Sequence, residues 1–337
     1  MEDNVTIDIK TLKVEPRRHT FGHIARRLGA DKPASRYEEG TLDVQATDNF
    51  HYKPLWGADF WHYDQRRTAI HMADWYALRD PRQYYYATYN IARATQYQTT
   101  ERNFDFVDKR GLLALMAPDW RDAVAFYLLP LRHAEWGANM NCADICDRGY
   151  GTAVTAPAMF SAGDHLAMAQ IIGRVGLLLD GNSGAALDRA KADWMEAETW
   201  QGVRRMVEDS LVIGDWFELF VAQNLCIDGV LYPLVHGRFE AAGQTKGGAG
   251  LAMLTEFMNE WFVEHGRWVD AVIKGAAAES PANKTLIEGW FATWSQRAAQ
   301  AFAPLAATVL GAEAGTAAIA QTAAELRQRA AGLGLSV

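Results

Sequence analysis

The stretch DWFELFVAQNLCIDGVLYPLVHGRFEA, residues 215–241, decides the fold class. Its apolar residues do not alternate with polar ones, as they would in a half-buried strand. In a helix they would lie on every side, and such a helix is too hydrophobic to be a surface helix with one face in water. The stretch therefore predicts a long helix inside the core of a helical protein.

Polar residues interrupt this apolar run at Asp215, Glu218, Gln223, Asn224 and Asp228. A buried carboxylate needs a partner, and the sequence offers Arg204, Arg205, Arg238 and His236. We therefore interpret these acids as members of structural ion pairs rather than as catalytic groups. On that interpretation Glu218→Ala costs about 3–5 kcal/mol of stability. His236 and Glu240 are expected to pair along the helix, because they are four residues apart.

Helical patterns continue on both sides of this stretch, from Gln65 onward. Asp80 before Pro81 and Ser280 before Pro281 have the form of an N-cap followed by proline at the first helical position. Apolar patterns run on past the internal prolines, so we expect kinks rather than helix ends at Pro130, Pro157, Pro233 and Pro304. The predicted helices cover about residues 80–110, 119–147, 152–179, 184–195, 200–212, 215–241, 248–278, 280–310 and 312–331.

Residues 1–64 have a different character. They are rich in aromatic and basic residues, lack helical periodicity and contain the breakers Pro16, Pro33, Pro54 and Gly57. We predict two regions, an irregular and extended N-terminal arm over residues 1–64 and a helical domain over residues 65–337. Four or more helices of about 30 residues pack most readily as a bundle, so the predicted class is an all-α, long-helix bundle.

Composition narrows the range of partners. The chain has 337 residues with 33 Lys+Arg against 41 Asp+Glu, a net charge of −8, which argues against a general nucleic-acid binder. The longest uncharged stretches, 149–163 and 298–312, are shorter than the ~20 residues that span a bilayer. The polar N-terminus lacks the apolar segment of an export signal. We therefore expect no nucleic acid, no membrane and a cytoplasmic location.

Cysteine usage agrees with a reducing compartment. Cys142, Cys146 and Cys226 are too few for a disulfide framework. Cys142 and Cys146 are four residues apart and would share one helix face. They lack a second ligand pair at the spacing of a zinc site, so we interpret them as buried thiols.

Searches for catalytic motifs exclude several enzyme classes. The sequence contains neither a phosphate-binding G-x-x-x-x-G-K-[ST] loop nor a G-x-S-x-G nucleophile elbow. A di-iron carboxylate site in a helical bundle needs Glu-x-x-His on two helices, and no glutamate here has histidine three residues later. His133 and Glu135 are two residues apart and cannot share a helix face. The residues alone therefore predict neither a catalytic site nor a metal site.

Longer segments carry a resemblance. The chain resembles the β subunit of the hydroxylase component of bacterial multicomponent monooxygenases, in the phenol hydroxylase branch, over about residues 14–239. The segments that carry it are RRHTFGHIARRLGADKPASRYEE (17–39), NFHYKPLW (49–56), RRTAI (66–70), MADWYALRDPRQYYYATY (72–89), GYGTAVTAPAMF (149–160), LLLDGNSG (177–184) and DWFELFVAQNLCIDGVLYPL (215–234).

The resemblance implies a ferritin-like fold and a place in a complex of the (αβγ)₂ kind. The α subunit of that family carries the di-iron centre, and the β subunit has the related fold without metal. The implied activity is NADH-dependent aromatic monooxygenation, in which one oxygen atom of O₂ enters a ring such as that of phenol. Electrons arrive through a separate reductase with FAD and an iron–sulfur cluster, and a small regulatory protein completes the complex. This chain would be a non-catalytic scaffold that supports assembly with the α and γ subunits.

Two short elements resemble ligand motifs of the metal-bearing subunits with one ligand replaced. Pro130-Leu131-Arg132-His133 is similar to Glu-x-Arg-His with proline in place of the glutamate. Asn259-Glu260-Trp261-Phe262-Val263 is similar to Asp-Glu-x-Arg-His with valine in place of the histidine. On this alignment each Glu-x-x-His motif has lost one member, and the remaining half-set would not hold two irons.

The N-terminal arm is the predicted docking element, because aromatic residues and arginine carry most of the energy of protein interfaces. We expect its deletion to abolish assembly, with Trp56 as an anchor. The predicted interface residues are Arg17, Arg18, His19, Phe21, His23, Tyr37, Phe50, Tyr52 and Trp56.

Two alternatives stay open at this point. One is a self-sufficient helical metalloenzyme that uses His133, Glu218, Asp228 and Glu260 in the bundle core. The other is a stand-alone binding module that recognises partners through its aromatic arm. Co-purification with a di-iron chain would favour the scaffold over the binding module. The absence of a Glu-x-x-His motif argues against the metalloenzyme.

Overall fold

The structure, a computed structural model, describes residues 20–46 and 59–337. Over those two ranges the protein is helical and contains no β-strand. The helices are α1 (Gly22–Leu28), α2 (Arg36–Thr41), α3 (Tyr86–Arg110), α4 (Pro118–Leu128), α5 (Leu131–Arg148), α6 (Thr152–Leu179), α7 (Ala185–Glu196), α8 (Glu198–Ser210), α9 (216–243), α10 (Ala249–Glu279), α11 (Pro281–Leu310) and α12 (Ala312–Gly332).

Helix α9 occupies the centre of the bundle, as the sequence predicts. Every residue from Trp216 to Tyr232 is buried apart from Glu218, which is half-buried. The helix packs against α5, α10, α11 and α12, while α6 packs against both α5 and α10. By length and composition the segment Trp216–Lys246 could cross a membrane, but its apolar window is almost entirely enclosed by the rest of the protein. It is therefore the core helix, and α5, α6, α9 and α10 form a four-helix unit.

The two predicted helix starts have different outcomes. Ser280 caps α11 as expected, since its hydroxyl accepts a hydrogen bond from the Asn283 N–H at 3.1 Å. Asp80 does not cap a helix, and α3 begins only at Tyr86. The Asp80 carboxylate instead accepts from the backbone and side chain of Arg82 at 2.9 and 3.0 Å. The prediction of a helix from residue 80 was wrong because this turn satisfies the carboxylate before a helix forms.

Internal prolines are accommodated in three ways. Pro157 and Pro304 lie within α6 and α11. At Pro130 the predicted helix over 119–147 is interrupted, and α5 resumes at the next residue while Pro130 keeps right-handed helical angles. Pro233 opens a π-helical segment of α9, Pro233–Phe239, and a second π segment covers Val221–Ile227. Wider turns near Pro233 suit a residue that cannot donate the ordinary helical hydrogen bond.

The described part of the N-terminal region is partly helical and packs on its own chain. Ile24 and Leu42, both fully buried, contact Tyr76 and Ala153 of the helical domain. Glu38 completes a capping box with Ser35 at the start of α2. The prediction of an irregular, extended arm therefore needs correction for residues 20–46.

Candidate functional site

A cluster of polar side chains lies inside the four-helix unit. Its members are Glu135 from α5, His165 from α6, Asp228 from α9 and His265 from α10, and each is at most 1% exposed. We call these four residues the core cluster. Because buried titratable groups in an apolar core are costly unless they are paired, their contacts decide what the cluster can do.

Glu135 and His165 form the tightest contact of the core cluster. The Glu135 Oε2 atom is 2.7 Å from His165 Nδ1. The hydroxyl of Tyr232 donates to the same carboxylate, at 3.0 Å from Oε1. Burial lowers the pKa of His165, but the Cys142 thiol and the Glu135 and Asp228 carboxylates outweigh burial and raise it well above the ordinary value. The raised pKa favours the imidazolium form of His165 in this contact with Glu135.

Asp228 is less completely matched. Its Oδ1 accepts one hydrogen bond from Gln223 Nε2 at 2.8 Å, and Asn141 donates in turn to Gln223 at 2.8 Å. Its Oδ2 lies 3.9 Å from His165 Nε2, which is too far for a hydrogen bond. Burial is the main cause that raises the pKa of Asp228 to about 7, while His165 acts in the opposite direction.

His265 is a neutral member of the core cluster. Its Nδ1 is 3.2 Å from Ser161 Oγ and its Nε2 is 3.0 Å from Asn224 Oδ1. The ring of Trp261 stacks on His265 at 4.3 Å between centroids and meets His165 edge-on at 4.8 Å. Burial, together with nearby arginines and His165, lowers the pKa of His265 well below the ordinary value. A neutral ring whose two nitrogens both have protein partners is fully satisfied within this chain.

A second ion-pair network borders the core cluster. Arg93 of α3 donates to both oxygens of Asp164 at 2.7 and 2.8 Å and to Glu264 at 2.9 and 3.1 Å. Asp164 also accepts from Tyr89 Oη at 2.9 Å and from Trp261 Nε1 at 2.8 Å. This network ties α3 and α10 to α6 beside His165.

The donor set of the core cluster does not fit a di-iron centre. Such a centre uses four carboxylates and two histidines, whereas the core cluster has two of each. Glu135 already binds His165 and Tyr232, and both nitrogens of His265 are engaged. Over residues 20–46 and 59–337, no three His, Cys, Asp or Glu side chains converge in a way that could hold a metal ion.

The structure does not bring together the residues of the predicted self-sufficient site. His133 packs against Trp194 at 5.6 Å between ring centroids, and burial lowers its pKa to about 4. Glu218 accepts from Trp294 Nε1 at 3.0 Å, and Glu260 is exposed. Of those four residues, Asp228 alone belongs to the core cluster.

The two motif alignments also fail at the residue level. Val263, the proposed substitute for a histidine ligand, is 66% exposed, and Glu260 beside it is exposed as well. His133 points to Trp194 rather than to the core cluster. The histidines of the core cluster are instead His165 and His265, which a search for Glu-x-x-His passes over because neither has glutamate three residues earlier.

The partners predicted for the α9 acids are largely different. Arg204 pairs with Glu208 at 2.7 Å, Arg238 with Glu325 at 2.8 Å, and Arg205 is exposed. The predicted His236–Glu240 pair is confirmed at 3.0 Å, and Asp215 caps α9.

The sequence contained one signal that could have revealed the core cluster. Residues 149–173 contain no Asp, Glu, Lys or Arg except Asp164, and His165 follows it directly.

The predicted interface residues fall into two groups. Phe21 is 51% exposed and stacks on His23. Tyr37 is buried, and its hydroxyl accepts from the Asp80 N–H at 2.9 Å, so its side chain is engaged within its own chain. The remaining members lie outside the described residues: Arg17, Arg18, His19, Phe50, Tyr52 and Trp56.

The thiols follow the expected pattern in part. Cys142 and Cys226 are fully buried, whereas Cys146 is half-buried. Burial raises the pKa of Cys146 to about 11. None of the three thiols is activated as a nucleophile.

The amino-acid sequence of this chain is similar to those of known hydroxylase components. The family model described as Methane/Phenol/Alkene Hydroxylase matches residues 56–280. The oxygenase component DmpL of phenol 2-monooxygenase from Pseudomonas sp. (strain CF600) is 47% identical over 307 residues, which cover 91% of this chain and 92% of the relative. The corresponding component MhpL from Acinetobacter pittii (strain PHEA-2) is 44% identical over 331 residues, 98% of each chain.

Solved structures agree with the sequence relatives. A crystal structure of xenon-pressurized phenol hydroxylase from Pseudomonas sp. OX1 superposes with a TM-score of 0.92 at 42% identity, and covers 98% of this chain and 99% of the other. A structure of toluene 4-monooxygenase has a TM-score of 0.75 at 21% identity and covers 91% and 99% of the two chains. At that identity it supports the helical hydroxylase fold alone.

Proposed function

The chain belongs to the methane/phenol/alkene hydroxylase family, as a subunit of a phenol hydroxylase oxygenase component, and from that premise we propose that it is the non-catalytic β subunit. The activity of the complex is monooxygenation of an aromatic ring. In this proposal the chain contributes a scaffold on which the metal-bearing subunit is assembled.

One observation carries the assignment to a scaffold. The carboxylates and histidines at the centre of the four-helix unit bind one another and neighbouring Tyr, Asn, Ser and Gln side chains. A di-iron site needs those same donor atoms to be directed at metal ions, with more carboxylates than the core cluster supplies. The group that activates O₂ would therefore be held by a partner chain.

The proposal extends to cofactors and partners. The α subunit would hold the di-iron centre, which supplies O₂ activation when it is bound. NADH, FAD and an iron–sulfur cluster would belong to a separate reductase, and α, β and γ chains would assemble as (αβγ)₂ with a regulatory protein. The names of the relatives support a multi-subunit system, because they describe an oxygenase component or a hydroxylase component subunit.

In this role, the chain's own residues hold the helices of the bundle in place and take no part in the reaction. The Arg93–Asp164–Glu264 network and the Glu135–His165 pair each join two or more helices across the bundle. Charged pairs with good geometry fix one packing of those helices, because any other packing leaves a charge buried without a partner. A rigid bundle presents a constant surface to the α subunit.

Iron analysis tests the proposal. The full chain expressed alone is loaded anaerobically with Fe²⁺, and its iron content is compared with that of the assembled hydroxylase treated in the same way. We expect iron in the assembled hydroxylase and no stoichiometric iron in the chain alone. About two irons per isolated chain, with the spectrum of an oxo-bridged pair, would contradict the scaffold assignment.

A further inference from the structure

A line of aromatic side chains joins two partly exposed positions of the protein. Its members are Tyr150, Trp75, Trp216, Phe217 and Trp290, and we call these five residues the aromatic line. The centroids of successive rings are 6.2, 5.4, 5.3 and 6.4 Å apart in that order. The three middle residues are at most 3% exposed, whereas both end residues are half-buried. We propose that the aromatic line is a path for single electrons, by which an oxidised Trp290 is repaired from Tyr150.

The indole of Trp216 has a feature that packing alone does not explain. Its Nε1 atom is buried and has no hydrogen-bond acceptor among the residues that the structure describes. A buried indole N–H usually has an acceptor, as Trp200 shows with the Phe126 carbonyl oxygen at 3.2 Å. Transfer of the proton to an acceptor would trap a radical on the ring. Because Trp216 has no such acceptor, an oxidised Trp216 keeps its proton and takes back an electron from Trp75.

Carboxylates next to both buried indoles favour the positive charge of an oxidised ring. Asp74 and Asp215 directly precede Trp75 and Trp216 in the chain, and each caps the helical turn that its tryptophan begins. The Asp215 carboxylate accepts hydrogen bonds from backbone N–H groups, whereas Asp74 also pairs with Arg27. A nearby negative charge lowers the energy of a cation. Asp215 therefore gives the larger stabilisation, at the ring in the middle of the aromatic line.

Tyr150 is the end at which the radical stops. It lines a surface cavity of about 550 Å³ together with Gln45 and His62. An oxidised tyrosine releases its phenolic proton to water and becomes a neutral radical, which no longer takes an electron from a neighbouring indole. The cavity is large enough to admit a small reductant such as a thiol.

Electrons and protons balance along the aromatic line. The oxidant is a hydroxyl radical that escapes from O₂ activation, and it takes one electron from Trp290 to become hydroxide. Trp216 reduces Trp290 through Phe217, Trp75 reduces Trp216, and Tyr150 reduces Trp75. The phenolic proton of Tyr150 and the hydroxide form water. A thiol then gives a hydrogen atom to the tyrosyl radical, and two thiyl radicals pair as a disulfide. This role rests on the proposed function, since the partner chain would activate O₂.

An oxidant placed beside Trp290 tests the path. A ruthenium polypyridyl complex is attached to the full chain at Thr293→Cys, an exposed position one turn from Trp290 in α11. Cys146→Ser removes the half-buried thiol from this background. A light flash with an electron acceptor in solution produces Ru(III), and transient absorption and EPR follow the protein radicals. We expect a tyrosyl radical that is lost in Tyr150→Phe. The same tyrosyl signal in Tyr150→Phe would overturn the proposal.

Tryptophan variants show whether the electron uses the buried part of the aromatic line. Trp216→Phe and its matched control Trp200→Phe each remove one fully buried indole, but Trp200 lies outside the aromatic line. We expect the tyrosyl radical to be lost in Trp216→Phe and kept in Trp200→Phe, and equal yields would overturn the proposal. Trp75→Phe interrupts the line at a second position, in case Trp216→Phe does not fold. A folded Trp75→Phe chain with the full tyrosyl yield would also reject the path.

A thiol titration tests the exit at Tyr150. With free cysteine added before the flash, we expect the tyrosyl radical to decay faster as the thiol concentration rises. A decay that does not respond to the thiol would contradict repair through the cavity. None of these measurements needs iron or a partner chain. Iron bound by the isolated chain would therefore reject the proposed function, whereas a tyrosyl radical that ignores Trp216 and Trp75 would reject the path.

Discussion

Asp164 and Asp228 are equally buried in the same bundle, each 1% exposed, but their surroundings differ. Asp164 accepts two hydrogen bonds from the Arg93 guanidinium and two more from Tyr89 and Trp261. Asp228 accepts one from a neutral amide and lies 3.9 Å from His165. Two equally buried carboxylates can therefore meet very different partners, a guanidinium for Asp164 and a neutral amide for Asp228.

The largest loss of stability is expected from a substitution that removes Arg93, the partner of Asp164. Arg93→Met keeps much of the side-chain volume but leaves Asp164 and Glu264 without their shared cation. Breaking a buried ion pair in this way costs about 3–5 kcal/mol, so we expect a large loss in the free energy of unfolding, measured with urea.

Arg174 provides the control for that measurement. It pairs with Glu101 on the surface at 2.6 Å, with 39% and 61% of the two side chains exposed. Arg174→Met should cost no more than about 1 kcal/mol. Equal losses in the two variants would show that Asp164 does not depend on its ion pair.

The second prediction concerns the pH dependence that Asp228 imposes. The folded-state pKa of about 7 lies above the ordinary aspartate value of 3.8, so as pH rises between those values the unfolded chain loses its proton first. The stability contributed by Asp228 is therefore present below about pH 4 and is lost by about pH 7. Asp228→Asn does not titrate, and its stability relative to the unmodified chain should increase over that range, by at most about 4 kcal/mol.

Unfolding free energies at several pH values check this prediction. Asp144→Asn, which alters a partly exposed ion pair with Arg148, is the matched control and should give a nearly constant difference. A difference between Asp228→Asn and the unmodified chain that does not change with pH would show that Asp228 stays charged in the fold.

A smaller effect is expected at Trp261, which joins Asp164 to the rings of the core cluster. Trp261→Phe removes the indole N–H that donates to Asp164 and shortens the ring that stacks on His265. A hydrogen bond to a charged group contributes about 1.5–3 kcal/mol, so we expect a loss of about 2 kcal/mol in the free energy of unfolding. In the Arg93→Met background the same substitution should cost a different amount, because both groups bind Asp164.

Glu218 should show the smallest effect. It is half-buried and accepts one hydrogen bond, from Trp294 Nε1, so Glu218→Ala should cost about 1 kcal/mol rather than the 3–5 kcal/mol expected from sequence. On the proposed scaffold role, the single-turnover rate per active site of the assembled hydroxylase should stay near normal. A hundredfold drop per site, in protein that assembles normally, would place Glu218 in the chemistry and contradict the scaffold role.

The sequence predicted the features that depend on local patterns. The buried α9 follows from apolar residues on every side, and the start of α11 follows from Ser280 before Pro281. The core cluster depends on contacts across the chain, such as Glu135 with His165 and His165 with Asp228, which no local spacing determines. Asp228 accepts from Gln223 of its own helix, which Asn141 of α5 holds in turn, and it lies near His165 of α6 rather than near an arginine because of how α5, α6 and α9 pack.

In the N-terminal region, the sequence-based prediction missed two short helices. Breakers and aromatic residues suggested an irregular arm, but α1 and α2 are too short for a periodic pattern to be visible, at seven and six residues. Tertiary contacts of Ile24 and Leu42 stabilise them. Short helices that depend on packing rather than on propensity are difficult to predict from sequence.

The enclosure of α9 has a consequence for hydrogen exchange. Its amide protons from about Leu219 to Val235 are surrounded by other helices, so solvent reaches them only when the bundle opens as a whole. Exchange at those amides therefore measures the free energy of global unfolding, whereas amides in the short α1 and α2 exchange through local opening. In an assembled complex, slower exchange in α1 and α2 with unchanged exchange in α9 would mark where a partner binds without any change in the core.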